Sequence, residues 1–245
     1  MTMEELNRKK NIPKYLAISD ELQEEIKHKY RSDDRLPSEA ELCSRFNANR
    51  YVVRQALARL VQLGLIRSRQ GIGYFVNEKP IDIRYTMTPI TQYSEIIRQA
   101  GRTPGAELLS QQLLIPPRDV AEVLRLSQGQ QAYKLEILRY ADGVRLTYSL
   151  SWLPEYIFPD FSAHTEGFSS LYDIFRTVYD IHPLRMSSTL RAIYPTASET
   201  LHLQISPSTP LLQIESIVCD EQNRRIEYTV AKYRGDLCMV SIQFQ

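Results

Sequence analysis

From Tyr15 to Tyr30 apolar residues recur every fourth position, at Ile18, Leu22, Ile26 and Tyr30, the spacing of a helix with one buried stripe. Ser32-Asp33-Asp34 interrupts the pattern. Pro37-Ser38-Glu39-Ala40-Glu41 reads as a new helix start, with Ser38 as N-cap and Glu41 three residues on as its capping-box partner. That helix is expected to bury Leu42 and Phe46. Asn47-Ala48-Asn49 makes a turn, Asn49 caps a third helix over Arg50 to Leu63, and Gly64 ends it. Val53, Leu57, Leu60 and Val61 form its expected core stripe. Leu65 to Arg69 and Gly73 to Val76 then alternate as two short strands around the tip Gln70-Gly71-Ile72. Three helices followed by a small hairpin make a winged helix–turn–helix.

Beyond this the texture changes. Asn77 to Ile83, with Pro80, reads as a linker. Helices are expected at Ser94–Ala100, Asp119–Leu124 and Phe168–Val178. Strands are expected at Leu108–Ile115, Ala132–Tyr140, Val144–Trp152, Leu184–Ile193, Leu211–Asp220, Arg225–Lys232 and Met239–Phe244. Ala141-Asp142-Gly143 between two of them is a strong hairpin signal. The fold class is therefore α+β. The expected organisation is an arm over 1–13, a winged domain over 14–76, a linker over 77–83 and an antiparallel-sheet domain over 84–245.

Charge changes the picture more than bulk composition does. The formal net charge is only +1, yet residues 1–79 carry 15 Lys+Arg against 11 Asp+Glu, and the remainder carries 15 against 18. A basic front and a mildly acidic back suggest that only the front meets nucleic acid. From Leu42 to Val76 there are six arginines (Arg45, Arg50, Arg54, Arg59, Arg67 and Arg69) and no acidic residue. A one-signed arginine surface on a folded frame suits a DNA backbone.

Arg50, Tyr51 and Arg54 share the exposed face at the start of the third helix, where a recognition helix reads base edges. An arginine there can bond guanine O6 and N7 together. Gly71 at the hairpin tip lets backbone approach the duplex, with Arg69 and Gln70 in reach of the minor groove or phosphates. Arg45, at the end of the second helix, is better placed for phosphate, and Asn49 sits at the same helix entrance. Taken singly, each arginine would read as a solvated residue.

Cys43, Cys219 and Cys238 are widely spaced with no CxxC, so neither a zinc site nor a disulfide framework is indicated. The four histidines fall in no ligand spacing. No metal, cofactor or catalytic set is expected. No apolar run approaches the ~20 residues that span a bilayer, and no signal-peptide core is seen. The sequence therefore reads as a cytoplasmic protein without a membrane partner.

Three spaced segments carry a resemblance: Leu36-Pro37-Ser38-Glu39, Phe46-x-x-x-Arg50-x-x-x-Arg54-Gln55-Ala56-Leu57, and Arg69-Gln70-Gly71-x-Gly73-x-Phe75-Val76. In order, over residues 14 to 76, they resemble the DNA-binding domain of GntR-type bacterial transcription regulators. Two departures bear on operator sequence: Ala40 stands where the family often has a basic residue, and Tyr51 where a small residue or Met is usual. Gly101-Arg102-Thr103-Pro104, Arg139-Tyr140-Ala141-Asp142-Gly143, Trp152-Leu153-Pro154 and Tyr233-Arg234-Gly235-Asp236 resemble the UTRA effector domain of the HutC subfamily, which is similar in fold to chorismate lyase. The spacing Arg84-Tyr85-x-x-x-Pro89-x-Thr91-x-Tyr93-Ser94, with Pro210-Leu211-Leu212 and Glu227-Tyr228, looks most like regulators of phosphonate utilisation.

The resemblance implies a homodimeric repressor, with operator DNA and a small anionic effector as partners. Arg139 matches a position that binds phosphate or carboxylate in related proteins. Ser149 stands where the family's pocket usually has Glu, which removes a repulsion against an anion. Thr91 and Ser94 fall just before and at the start of a helix, whose amides favour an anion. Arg185 with Ser187 and Thr189 repeats that chemistry on a strand. Glu227 and Tyr233 are expected to contact the polar end of the ligand, with or without an amine, or are structural. Each of these residues also has an ordinary reading as an exposed arginine, a capping serine or a solvated threonine. Sugar phosphates and carboxylates remain alternatives to a phosphonate. An enzyme using the lyase-like domain is the rival class, but fold similarity alone does not carry function.

Overall fold

The computed structural model describes residues 13–77, 83–88 and 92–242. The chain divides into two compact units, Met1–Pro80 and Ile81–Gln245. The expected arm up to residue 12, residues 78–82 of the expected linker, Thr91, and residues 243–244 of the expected last strand lie outside the described residues.

The first unit consists of α1 (Lys14–Lys29), α2 (Glu39–Phe46), α3 (Arg50–Gln62) and a hairpin of β1 (Ile66–Arg69) and β2 (Gly73–Val76). As its spacing requires, α1 buries Ile18, Leu22 and Ile26, together with Ser19. The capping box at the start of α2 is complete: Ser38 Oγ accepts from the Glu41 amide, and the Glu41 carboxylate accepts from the Ser38 amide at 2.7 Å. Asn49 Oδ1 caps α3 by accepting from the Val52 amide at 3.0 Å.

One expected core residue of α3 is corrected. Val61 is 39% exposed, and Ala56 is buried beside Val53, Leu57 and Leu60. These four positions follow the i, i+3, i+4, i+7 pattern, whereas Val61 falls at the edge of the stripe. The α1–α2 loop, which periodicity left unstructured, joins the wing: the Leu36 amide donates to Tyr74 O and the Val76 amide to Asp34 O, each at 2.9 Å. At the hairpin tip Gly71 has φ +73°, a conformation open to glycine at no steric cost.

In the second unit six strands form one antiparallel sheet. In chain order they are β4 (Pro104–Leu114), β5 (Ala132–Ala141), β6 (Val144–Pro154), β7 (Leu184–Ile193), β8 (Leu211–Cys219) and β9 (Arg225–Arg234); in space they run β4-β5-β6-β9-β8-β7. Ala141 pairs Val144 across Asp142-Gly143, both at positive φ, the two-residue hairpin that Asp-Gly favours. A second, two-stranded sheet was not anticipated. β3 (Ile83–Met87) pairs in parallel with β10 (Cys238–Ile242), so the last strand is not part of the antiparallel set.

Among the described residues, four α-helices and a 3-10 turn (Phe161–His164) complete the unit; the helices are α4 (Tyr93–Gln99), α5 (Arg118–Leu124), α6 (Leu171–Tyr179) and α7 (Ala197–Leu203). The last of these was missed from the sequence, although Thr196 and Glu199 form a full capping box for it. α6 starts three residues later than expected, because Ser170 is its N-cap. Phe158, Phe161 and Phe175 form the main core with Leu135, Ile137 and Val218. A second cluster joins Ile83 and Tyr85 to Ile97, Leu146 and Tyr233. At the end of β9, Gly235 is required by close approach: a Cβ there would lie 2.8 Å from Pro210 O, which accepts from the Gly235 amide.

Candidate functional sites

In the first unit α3 presents Arg50, Tyr51 and Arg54 to solvent; the two arginine side chains are 70% and 57% exposed. Tyr51 OH accepts from Gln55 Nε2 at 3.1 Å, one helical turn on. Gln70 and Gly71 are exposed at the wing tip. Arg69 lies along the wing with its guanidinium carbon 4.6 Å from the Phe75 ring centroid. Asn49 spends its side-chain oxygen on the helix cap.

The one-signed stretch of sequence does not fold into an unpaired positive surface. Each of its six arginines meets an acid from residues 20–39. Arg45 donates to Glu25 at 2.8 Å and to Glu21 at 2.7 Å, and Arg59 donates to Asp20 at 2.6 Å. These pairs tie α2 and α3 to α1, so Arg45 faces α1 in addition to solvent. Arg45 and Lys29 hold the Glu25 carboxyl down at about 2. Arg67 pairs with Asp33, and Arg69 Nη2 lies 3.7 Å from the same carboxylate.

On the recognition face itself, Glu39 Oε2 accepts from Arg50 Nε at 2.7 Å and from Arg54 Nε at 3.0 Å. Glu39 is the first residue of α2 and only 18% exposed. Its carboxyl is held below the usual range, chiefly by Arg50. Because both contacts use Nε, the terminal amino groups of both arginines stay outward, available as a two-pronged donor.

The second unit holds a cavity of about 70 Å³, room for a few waters or a compact anion. Strand alternation builds one wall. Glu227, Thr229, Ala231 and Tyr233 occupy every second position of β9 and all line the cavity. Arg139 enters from β5 and Arg185 from β7, while Tyr85, Tyr93 and Ser94 come from β3 and α4.

Both arginines are held by neutral groups. Arg139 Nη1 donates to Ser149 Oγ at 2.6 Å, and its guanidinium carbon is 5.8 Å from the Tyr93 ring centroid. Arg185 Nη2 donates to Tyr85 OH at 3.0 Å and Nη1 to Thr88 O at 3.3 Å; its buried Nε has no partner. Glu227 is 2% exposed, and its Oε1 accepts from Ser151 Oγ at 2.7 Å. Its Oε2 accepts no bond of full hydrogen-bonding geometry, although the Tyr172 hydroxyl stands beside the carboxyl. Burial pushes the Glu227 carboxyl up, opposed by Ser151, Arg139, Tyr172 and Arg185. Burial also raises the Tyr172 and Tyr233 hydroxyls, which stay protonated.

Of the residues expected to bind an effector, Ser94, Arg139, Arg185, Glu227 and Tyr233 line this one cavity. Ser149 is fully covered behind Arg139 and fixes it. Ser187 is not brought there. A register shift between Arg185 and Ser187 makes Met186 an extra residue, which turns Ser187 and Thr189 to the opposite face, both exposed. Ser94 is the second residue of α4, which is seven residues long and has Gln92 as N-cap. Tyr85 and Tyr93, from the segment that resembles phosphonate regulators, also line the cavity, as do Tyr172, Ser169, Ser170 and Thr229, which the sequence did not mark. Alternation from Glu227 would have found Thr229; the others come from segments far apart in sequence.

Among the described residues no three His, Cys, Asp or Glu side chains come together as a metal site. No described helix is long and apolar enough to cross a membrane.

Two family models match the chain: "Bacterial regulatory proteins, gntR family" over residues 14–76, and "UTRA domain" over residues 99–238. The HTH-type transcriptional regulator GgaR of Escherichia coli K12 is 28% identical over 232 residues, covering 93% of this chain and 89% of GgaR. PhnF of the same organism is 29% identical over 226 residues, with 91% and 92% covered. The HTH-type transcriptional repressor NagR of Bacillus subtilis is 28% identical over 233 residues, with 94% of each chain covered. The crystal structure of PhnF from Mycobacterium smegmatis superposes with a TM-score of 0.65 at 26% identity, covering 93% of this chain and 99% of that one.

Proposed function

Since the chain belongs to the GntR family of bacterial regulatory proteins and carries a UTRA effector domain of HutC type, we propose that it is a homodimeric repressor released from its operator by a small anionic metabolite, a phosphonate. The family consists of DNA-binding regulators rather than enzymes. One observation carries the ligand reading: two arginines from distant strands, Arg139 and Arg185, point into one cavity and are held there by hydroxyls and a carbonyl. Neither guanidinium is hydrogen-bonded to a carboxylate, which keeps donors for an anion, with Ser94 on the same cavity and Ser149 aligning Arg139. Thr91, just before α4, is assigned to the same anion site from the sequence alone. The hydroxyl-rich wall of Tyr85, Tyr172, Thr229 and Tyr233 also suits a sugar phosphate or a carboxylate, which is the alternative.

On DNA, two winged units occupy half-sites roughly one helical turn, ~10 base pairs, apart. Arg50, Tyr51 and Arg54 read the major groove, while Arg69, Gln70 and Gly71 follow the minor groove or phosphates. Arg45 and Asn49 lie at the flank of the recognition helix, nearest the backbone. The effector acts by binding more tightly to the arrangement of the dimer that no longer matches the operator.

The test is fluorescence anisotropy of the full-length protein on labelled DNA from upstream of its own gene, at fixed salt. Phosphonates are expected to release the DNA where phosphate, sugar phosphates and carboxylates do not. Release by a sugar phosphate instead would favour the alternative, and tight binding unmoved by any anion would overturn the ligand reading. Arg54→Ala is expected to lower the operator's advantage over random DNA by about 1–3 kcal/mol while leaving effector binding intact. Unchanged discrimination would remove Arg54 from the recognition surface.

A further inference from the structure

The two arginines account for an anion, yet the cavity also contains a group that an anion alone leaves worse off. Glu227 is buried in the wall of the cavity, and only one of its carboxylate oxygens is engaged, by Ser151. Oε2 accepts no bond of full hydrogen-bonding geometry; the Tyr172 hydroxyl stands beside the carboxyl and favours its charged form without closing that bond. Ser151 cannot turn to serve Oε2 as well, because its hydroxyl also faces Thr229 Oγ1 at 2.9 Å. Ligand-free, Glu227 feels the attraction of Arg139 and Arg185. An anion that neutralises those guanidinium groups removes that attraction and adds a like charge, so the carboxylate becomes an unpaired buried charge at the moment of binding. A ligand that also brings a positive donor to Oε2 avoids this penalty.

We propose that the effector is a compact zwitterion, with its anion on Arg139 and Arg185 and an ammonium group on Glu227 Oε2. This inference rests on the cavity being the effector site proposed above. A volume of about 70 Å³ suits a ligand whose two charges are a few bonds apart. The chemical class is an ω-aminoalkyl phosphonate or the corresponding phosphate monoester. The two share this chemistry and differ in one bridging atom.

Isothermal titration of the full-length protein with three isosteres separates the terms: 2-aminoethylphosphonate, 2-hydroxyethylphosphonate and propylphosphonate differ only in the terminal group offered to Glu227. The amine is expected to bind at least about tenfold more tightly than the alkyl compound, with the alcohol between them. In Glu227→Gln the preference is expected to fall to within about threefold, because the amide keeps the shape and loses the charge. Equal or tighter binding of propylphosphonate by the unaltered protein would overturn the zwitterion and leave the anion site standing. A preference that survives in Glu227→Gln would overturn the role of Glu227. The same comparison with 2-aminoethyl phosphate and propyl phosphate identifies the source: an amine preference seen only there keeps the zwitterion and sinks the phosphonate. No binding by any of the five overturns both readings.

Discussion

Glu39 illustrates what a single residue can do at a DNA-reading surface. Its carboxylate bridges Arg50 and Arg54 through their Nε atoms. Exposed ion pairs contribute little stability, commonly ~0–1 kcal/mol, so the effect belongs to positioning rather than to folding. A guanidinium held at Nε loses less freedom when its outer amino groups meet a base edge. The carboxylate also repels phosphates, which lowers affinity for any sequence. Glu39→Ala is therefore expected to raise affinity for random DNA severalfold and to shrink the operator-to-random ratio. Anisotropy titrations on both DNAs at matched salt check this. A ratio that is unchanged or larger would make Glu39 a bystander.

Glu227 poses the opposite problem, a carboxyl raised by burial. With its folded-state pKa above the unfolded value, its contribution to stability is fully present below the unfolded value near 4.5 and is lost as pH rises through the folded value. At neutral pH the neutral isostere in Glu227→Gln should therefore stabilise the ligand-free second unit. The expected gain is roughly 1 kcal/mol, about 2–4 °C in melting temperature. It should shrink toward zero at pH 4. Melting curves at the two pH values decide the sign.

At the scale of elements, local chemistry governs the reading head. The capping boxes at Ser38–Glu41 and Thr196–Glu199 each satisfy two backbone donors that a helix start would otherwise leave open. Ser38→Ala is expected to cost about 1 kcal/mol. The loss should appear as faster amide exchange in the first turn of α2, where Glu39 sits, and be accompanied by weaker operator discrimination.

Element edges also explain which sequence expectations went astray. The apolar alternation Ile83, Tyr85, Met87 is visible in the chain. Its partner β10 lies 155 residues away at Thr86–Ser241, and no local rule announces a parallel pairing of that separation. The single extra residue Met186 reverses the faces of Ser187 and Thr189. A bulge of this kind leaves no mark in a strand's composition. Helix α7 is different, because its start carries a local signal in the chain, the capping box Thr196-x-x-Glu199.

At the scale of the molecule, the described residues form two units with separate cores. An effector held by the second unit adds stability only where it binds. Differential scanning calorimetry of the full chain is therefore expected to show two transitions, with saturating effector raising only one of them. At one hundred times Kd the added stability is about 2.7 kcal/mol. A single transition that shifts as a whole would mean that the units unfold as one.

The helices of the winged unit, their caps, the wing and most strands of the sheet are legible in the chain alone. Periodicity, capping and turn chemistry act within a few residues of one another. Ser94, Arg139, Arg185, Glu227 and Tyr233 were legible one at a time, as residue types at suggestive positions. Tertiary structure alone decided that they share one cavity, because Arg185 meets Tyr85 across 100 residues and Ser151 meets Glu227 across 76. It also decided the charge of the reading head. An arginine run without a local acid looks unpaired along the chain, but Asp20, Glu21, Glu25, Asp33 and Glu39 reach it once α1 and the start of α2 pack against it. Ionic pairing depends on distance in space, and linear patterning measures only distance along the backbone.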